Sequence, residues 1–298
     1  MKILLFGANG QVGWELQRSM SPLGEVVALD RHSTELCGDL NDLKGISDTV
    51  RRVTPDVIVN AGAYTAVDKA ESDAETAQIV NSAAPGVLAQ AASAVGAWLV
   101  HYSTDYVFDG SGSKPWVETD PTGPLNVYGK TKLEGEQRIA SRCAKHLILR
   151  TSWVYAARGG NFAKTMLRLV KERDRLAVVS DQFGAPTGAD LLADVTAHMV
   201  RSVLLGTSDR LAGTYHVAAA GDTSWHGYAR FVVEHAAKAG LALKASAATV
   251  DPVPTSAFPA PTARPHNSRL NTAKLQSSFG LQLPAWHSGV ARMVTEIT

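Results

Sequence analysis

The chain has 298 residues, 45% of them apolar and 19% charged, with a formal charge of +1. That balance fits a soluble globular protein with enough core for one large domain, or for one domain carrying a lobe. It gives no support to nucleic acid or anionic membrane, both of which favour basic surfaces, so neither is expected as a partner.

The first element is the apolar run KILLFG (2–7), read as a buried strand. Its continuous part, Ile3 to Phe6, is too short for a signal-peptide core. Gly7, Gly10 and Gly13 follow as G-x-x-G-x-x-G and open a helix, QVGWELQRSM. A strand, three glycines and a helix in that order point to a dinucleotide. Gly7 permits the turn, Gly10 lets backbone approach a pyrophosphate at the helix N-terminus, and Gly13 lets helix and strand pack closely. Asn9, Gln11 and Val12 share that loop and are cofactor-binding candidates.

The second strand, VVALD (26–30), ends on Asp30, 20 residues past Gly10. An acid there suits the adenosine ribose of NAD; Arg31, directly after it, suits a 2′-phosphate. The pair leaves NADH and NADPH both open. Asp39 and Leu40, in CGDL, are placed at the adenine pocket, with Asp39 alternatively capping the next helix. Cys37 and Cys143 are the only cysteines and have no C-x-x-C spacing, which fits a reducing, cytoplasmic compartment. The next strand, DVIVNAG (56–62), runs into Ala61, Gly62, Ala63, Tyr64 and Thr65, mostly small residues that let a cofactor lie against backbone.

SAAPGVLAQAASAVG reads as a helix and WLVHYST (98–104) as a strand ending on Thr104 and Asp105. In NVYGKTKLEGE (126–136), Tyr128 and Lys132 are one helical turn apart and share a face. Together these groups form a proton-transfer set. Tyr128 donates to a carbonyl oxygen as hydride reaches carbon, Thr104 hydrogen-bonds the same oxygen, and Lys132 stabilises the phenolate and holds the nicotinamide ribose. A cation beside the phenol is expected to pull its pKa towards neutrality.

HLILRTS (146–152) is a further strand. Strands that are apolar throughout, separated by helices, imply an α/β fold with a doubly wound, Rossmann-like parallel sheet. Beyond it come the helix NFAKTMLRLVKER, a short strand, loop and long helix in LAVVSDQFGAPTGADLLADVTAHMV, and GTYHVAA (213–219), a strand returning to the sheet. The proline-rich 251–267 is read as an ordered loop. Residues 1–155 are thus expected to form the dinucleotide-binding domain, with segments near 176–220 returning to it. Residues 156–175 and 221–298 are expected to form a smaller substrate-binding lobe. Arg264 and Arg269 are the candidates for gripping a diphosphate, with Lys164 the weaker one. No stretch approaches the roughly 20 apolar residues of a membrane span.

The stretches MKILLFGANGQVGWEL, PDVIVNAGAYTAVDKAE, HYSTDYVF, PLNVYGKTKLEGE, RTSWVY, NFAKTML, DQFGAPT and RPHNSRLNTAKL resemble the extended short-chain dehydrogenase/reductase family, and within it the dTDP-4-dehydrorhamnose reductases. The resemblance implies reduction of dTDP-4-dehydro-6-deoxy-L-mannose at C4 to dTDP-L-rhamnose with NADH or NADPH. It makes Thr104, Tyr128 and Lys132 catalytic and sets Trp153, of SWVY, at the sugar; Thr104 and Asp105, at the carboxyl edge of their strand, are substrate-binding candidates by position. It also implies a homodimer, with Mg²⁺ held by carboxylates of both chains at positions matching Glu15, Asp190 and Glu296. The sequence departs from the family pattern at Gly62 and Tyr64, and in having Asp190 for a glutamate. Two other readings share the scaffold. One is a nucleotide-sugar epimerase or dehydratase, against which Tyr106 stands in place of a glutamate after Asp105. The other is a non-catalytic regulatory subunit, against which the intact Thr104, Tyr128 and Lys132 stand.

Overall fold

Buried runs of Val, Ile and Leu become strands because their backbone groups pair inside the sheet while side chains fill both faces. In chain order, β1 (Lys2–Phe6), α1 (Gln11–Met20), β2 (Glu25–Leu29), α2 (Leu43–Val53), β3 (Val57–Asn60), the short α3 (Val67–Ala70) and α4 (Ala74–Gln78), α5 (Ala84–Val95), β4 (Trp98–Thr104), α6 (Val127–Arg142) and β5 (His146–Thr151) come first. They are followed by β6 (Val154–Tyr155), α7 (Phe162–Glu172), β7 (Leu176–Val179), β8 (Phe183–Gly184), β9 (Thr187–Gly188), α8 (Ala189–Leu205), β10 (Gly213–His216), β11 (Thr223–Ser224), α9 (Trp225–Lys238), β12 (Val250–Val253), α10 (Ala273–Phe279) and α11 (Trp286–Ile297). This computed structural model describes residues 1–206, 209–258 and 261–298.

Six strands form one parallel sheet in the order β10-β5-β4-β3-β1-β2. The chain leaves β1 first towards β2, then reverses to β3, so the switch point lies between β1 and β3. In doubly wound sheets that crevice, at the carboxyl ends of the strands, receives the ligand. Alternate residues supply two cores. Ile3, Leu5, Val57, Val59, Val100 and Leu149 pack under α1 and α8 through Leu16, Met20, Leu192 and Met199. Leu4, Phe6, Ile58, Leu99 and Ile148 pack under α2, α5 and α6 through Ile46, Val50, Leu88 and Ile139.

A third core joins α7, α9 and α11 through Met166, Val170, Tyr228, Val232, Trp286 and Val290. Of residues 176–220, α8 and β10 join the sheet layers, whereas β7 pairs with β12 on this third core. The proline-rich stretch therefore begins as a strand, with Pro252 in β12 opposite Val178. It continues through a turn at Thr255–Ala257; residues 259–260 of that stretch lie outside the described residues. Among the described residues no helix is long and apolar enough to cross a membrane.

Candidate active site

The glycine loop runs off β1 into α1. Gly7 has φ +85°, and a Cβ there would meet Gly62 N at 2.6 Å; a Cβ on Gly13 would meet Gly7 O at 2.0 Å. Both glycines are required by the chain's own packing. Gly10 is different: it is exposed, a Cβ there would meet only Gly7 O, tightly at 3.3 Å, and it begins α1 without a side-chain cap. The free N–H groups behind it, flanked by Asn9, Gln11 and Val12, suit a pyrophosphate.

Asp30 ends the strand run at β2. Its carboxylate accepts from Asn9 Nδ2 and from His32 N (2.7 Å), while Arg31 lies exposed beside it. Asp39 does not cap the following helix: it accepts from Asn41 N at 3.0 Å, and Asp42 caps α2 through Gly45 N. Leu40 is buried 2.8 Å from where a Cβ on Gly62 would stand. The loops at 39–40 and 61–65 thus meet beyond the carboxyl ends of β2 and β3. Tyr64 is pinned there, its N–H to Asn81 Oδ1 (2.9 Å) and its hydroxyl to Asp73 (3.0 Å). Ala61 and Ala63 lie half-buried between them and Thr65 is exposed at the outer end.

α6 carries Tyr128 and Lys132 on the face turned to β4. Its approach depends on Gly129, where a Cβ would meet Tyr106 O at 2.2 Å. Asn126 caps the helix through Gly129 N (2.8 Å) and reaches Ala263 O (3.0 Å), tying its start to the C-terminal loop. The Tyr128 hydroxyl lies close enough to the Thr104 side chain to be eased towards a lower pKa by it. Lys132 is 1% exposed and turns its Nζ onto β4, donating to Tyr102 O at 2.6 Å and meeting His101 Nε2 at 3.1 Å. Burial brings its pKa down to about 8, with Glu136 acting in the opposite direction.

The activated phenol expected from the spacing is not built. Burial raises the Tyr128 pKa, and only the neighbouring Thr104 side chain opposes it, because the lysine nitrogen lies against the strand. A raised pKa keeps the phenol protonated at neutral pH, which is the state a proton donor needs.

Thr104 donates to Asp105 Oδ1 at 3.1 Å. Asp105 is 2% exposed, its Oδ2 has no hydrogen-bond partner among the described residues, and burial lifts its pKa to about 6 against the opposing effect of the Ser268 and Thr104 side chains. Arg264 joins this group: its guanidinium donates to Tyr106 OH (3.3 Å) and Asp68 Oδ2 (2.7 Å), and the Tyr106 ring meets Tyr128 edge-on at 5.5 Å. Arg269 is committed elsewhere, to Asp222 at 2.8 Å and over the Phe183 ring at 4.4 Å. Lys164 donates to Ala157 O (2.7 Å), an ordinary structural contact. Trp153 has φ +50° and stacks on Trp225 at 3.6 Å. A left-handed tryptophan is a strained backbone, of the kind that collects at functional sites.

The RmlD substrate binding domain family matches the chain over residues 1–298. The chain belongs to this family. It is 59% identical to the dTDP-4-dehydrorhamnose reductase of Escherichia coli K12, over 100% of this chain and 98% of that protein. A dTDP-4-dehydrorhamnose reductase from Clostridium acetobutylicum superposes with TM-score 0.89 at 35% identity, covering 100% of this chain and 99% of that one. The enzyme from Bacillus anthracis, solved in complex with NADP, gives 0.87 at 35% identity and 99% coverage of both chains.

In this RmlD-family chain Glu15, Asp190 and Glu296 do line one cavity of about 210 Å³, with Trp14, Arg18 and Arg292. The acids are not free donors: Glu15 pairs with Arg18 at 3.2 Å and Asp190 with Arg292 at 3.5 Å. Among the described residues no three acids, histidines or cysteines are grouped to hold a metal ion. The set does not fit Mg²⁺ within one chain.

Several residues of this RmlD-family site escape motif reading. His101, Asn60, Ser103, Glu136 and Arg150 are all buried behind Lys132. Glu136 accepts from Ser103 at 2.5 Å and from Arg150 Nη2 at 2.6 Å. For all but Glu136 the available signal was polar residues inside the otherwise apolar runs DVIVN, WLVHYS and HLILR.

Proposed function

We propose that this chain reduces dTDP-4-dehydro-6-deoxy-L-mannose at C4 to dTDP-L-rhamnose with NADH or NADPH. The observation that carries the reading is the buried pairing of Thr104, at the carboxyl end of β4, with Tyr128, and Lys132 buried one turn on, in a chain 59% identical to a dTDP-4-dehydrorhamnose reductase. When bound, the nicotinamide supplies the hydride. Tyr128 gives its hydroxyl proton to the carbonyl oxygen as that oxygen gains negative charge. Thr104 orients the same oxygen, and Lys132, whose Nζ rests on Tyr102 O before reaction, turns to stabilise the phenolate that remains.

Gly7, Gly10 and Gly13, with Asn9, Gln11 and Val12, receive the pyrophosphate. Asp30 and Arg31 meet the adenosine ribose, and the 39–40 and 61–65 loops enclose adenine and nicotinamide. Asp105, Trp153 and Arg264 hold the sugar nucleotide. Tyr106 supports reduction over dehydration, because a phenol following Asp105 offers no second carboxylic acid.

The test is NAD(P)H oxidation by the purified protein given the 4-keto sugar nucleotide and no partner. Turnover is expected with either cofactor. A protein that binds NAD(P)H but leaves the keto sugar unreduced is the outcome that defeats the reading.

A further inference from the structure

His101 is a fully buried titratable group with no part in the mechanism above. It lies on β4, register partner of Asn60 on β3, and both side chains face α6 rather than α1. The two form a chain of hydrogen bonds: Gly62 N to Asn60 Oδ1 (3.2 Å), Asn60 Nδ2 to His101 Nδ1 (3.1 Å), and His101 Nε2 to Lys132 Nζ (3.1 Å).

The donors in that chain are not independent. Gly62 N–H takes the amide oxygen, so the amide nitrogen is the group that faces His101 and donates to Nδ1. A neutral imidazole accepting at Nδ1 carries its proton on Nε2. That N–H points at Lys132 Nζ, which must then offer a lone pair: the arrangement belongs to the amine. An ammonium has three donors and no acceptor. It must donate to Nε2, which puts the imidazole proton on Nδ1, and Nδ1–H needs the amide oxygen of Asn60. The amide turns over and Gly62 N–H loses its acceptor.

We propose that Asn60 and His101 are positioning residues that link the proton on Lys132 to the backbone of the loop at Gly62. One proton is added, at Nζ; the imidazole keeps one proton throughout and only changes which nitrogen bears it. A ligand that accepts from Gly62 N–H replaces the Asn60 oxygen and so favours the ammonium, the form that stabilises phenolate. By linkage, protonating Lys132 favours that ligand equally. This rests on the reading of the loop as cofactor-binding and of Lys132 as catalytic.

The surroundings support two accessible states. Lys132 Nζ meets His101 Nε2 and Tyr102 O of β4, and Glu136 of its own helix is the charge that acts on it. Behind these, Asn60 of β3 bonds His101, Ser103 of β4 bonds Glu136, and Asn81 from the turn before α5 bonds Thr131. Glu136 is already paired with Arg150 of β5. Burial holds Lys132 near neutrality, and burial followed by Lys132 itself pushes His101 far down, so the imidazole stays uncharged.

The test is nitrogen NMR of the full chain with ring-labelled histidine, titrated from about pH 6.5 to 9.5, the range around a lysine lowered by burial. His101 should stay neutral and move its proton from Nδ1 to Nε2 as Lys132 deprotonates, with the Gly62 amide shifting at the same midpoint. A single tautomer across that range, or an imidazolium, overturns the proposal. This readout needs no turnover, so an inactive wild type would count against the reductase reading alone. In kinetics, His101→Phe should lower kcat about tenfold or more and move its pH profile, with the sugar KM within about twofold. His101→Gln, which keeps a donor and an acceptor, should recover most of that loss. An unmoved pH profile in His101→Phe overturns the linkage.

Discussion

The guanidinium of Arg264 joins Asp68, 2.7 Å away beside the 61–65 loop, to the hydroxyl of Tyr106 at 3.3 Å. One side chain thus ties the C-terminal loop to both halves of the candidate site. The ion pair is partly exposed, so it adds little to stability and Arg264→Ala should fold. The loss should fall on the diphosphate. We expect KM for the dTDP-sugar to rise about tenfold, roughly 1.4 kcal/mol, with NAD(P)H affinity nearly unchanged. Steady-state kinetics decide it; an unaltered sugar KM places the diphosphate elsewhere.

Tyr128→Phe removes one oxygen, the one that lies beside Thr104. The ring and its edge contact with Tyr106 remain. NAD(P)H binding should therefore persist while kcat falls by about 10²–10⁴-fold, the usual span of general acid catalysis. A kcat within a few-fold of wild type would remove Tyr128 as the proton donor.

How much of this could be read from the chain depends on where each signal lies. The sheet was legible because parallel strands buried on both faces are unbroken apolar runs: WLVHYST coincides with β4, and GTYH pairs with β5 as β10. The glycine loop was legible because strand, turn and helix are consecutive. The direction of Lys132 was not. Spacing on α6 set it beside Tyr128, but β4 decides where Nζ goes, and Tyr102 O and His101 are distant in sequence. Asn60 and Arg150 were hidden for the same reason, since each reads as one polar residue near the end of a strand. Helical glycines were an unused clue: a Cβ on Gly135 would meet Asn81 O at 2.2 Å, so α6 can press against the 79–83 turn only without a side chain there.

Glu136 and Arg150 form an ion pair only 5% and 7% exposed, closed by Ser103. Removing one partner strands a buried charge, which costs about 3–5 kcal/mol. Arg150→Met should lose stability on that scale in denaturant unfolding at neutral pH. Replacing both partners by apolar residues should recover much of it. A single variant as stable as wild type would mean that water or rearrangement compensates the stranded glutamate.

Asp105 gives the stability a pH dependence of unusual sign. Its folded pKa is about 6 against an ordinary 3.8, so between those values the native state holds a proton that the unfolded chain releases. Stability therefore falls as pH rises through that window, and the penalty is complete above about 6. A displacement of that size corresponds to roughly 3 kcal/mol. Asp105→Asn should then melt higher than wild type at alkaline pH, with the gap closing towards about pH 4. The same variant should bind the dTDP-sugar less well. Melting curves at the two pH values are the check; a gap that does not change with pH rules out this titration.

Cofactor choice rests on Asp30 and Arg31, adjacent residues with opposite effects. The Asp30 carboxylate is held in place by Asn9 and by His32 N at 2.7 Å, so it cannot easily swing away from a 2′-phosphate. Arg31 is exposed, touches His32 Nε2 at 3.0 Å, and is free to cover the same ribose with a planar, always charged guanidinium. At similar range the repulsion and attraction are comparable, and solvent screens both. The wild type should accept NADH and NADPH with a preference well under about 1000-fold, roughly 4 kcal/mol. Arg31→Ala leaves the fixed carboxylate unopposed, and the ratio of kcat/KM should move towards NADH by about tenfold. Raising salt should weaken NADPH use more than NADH use in the wild type, and much less so in the variant. If Arg31→Ala leaves the ratio unchanged, the 2′-phosphate is read by another residue.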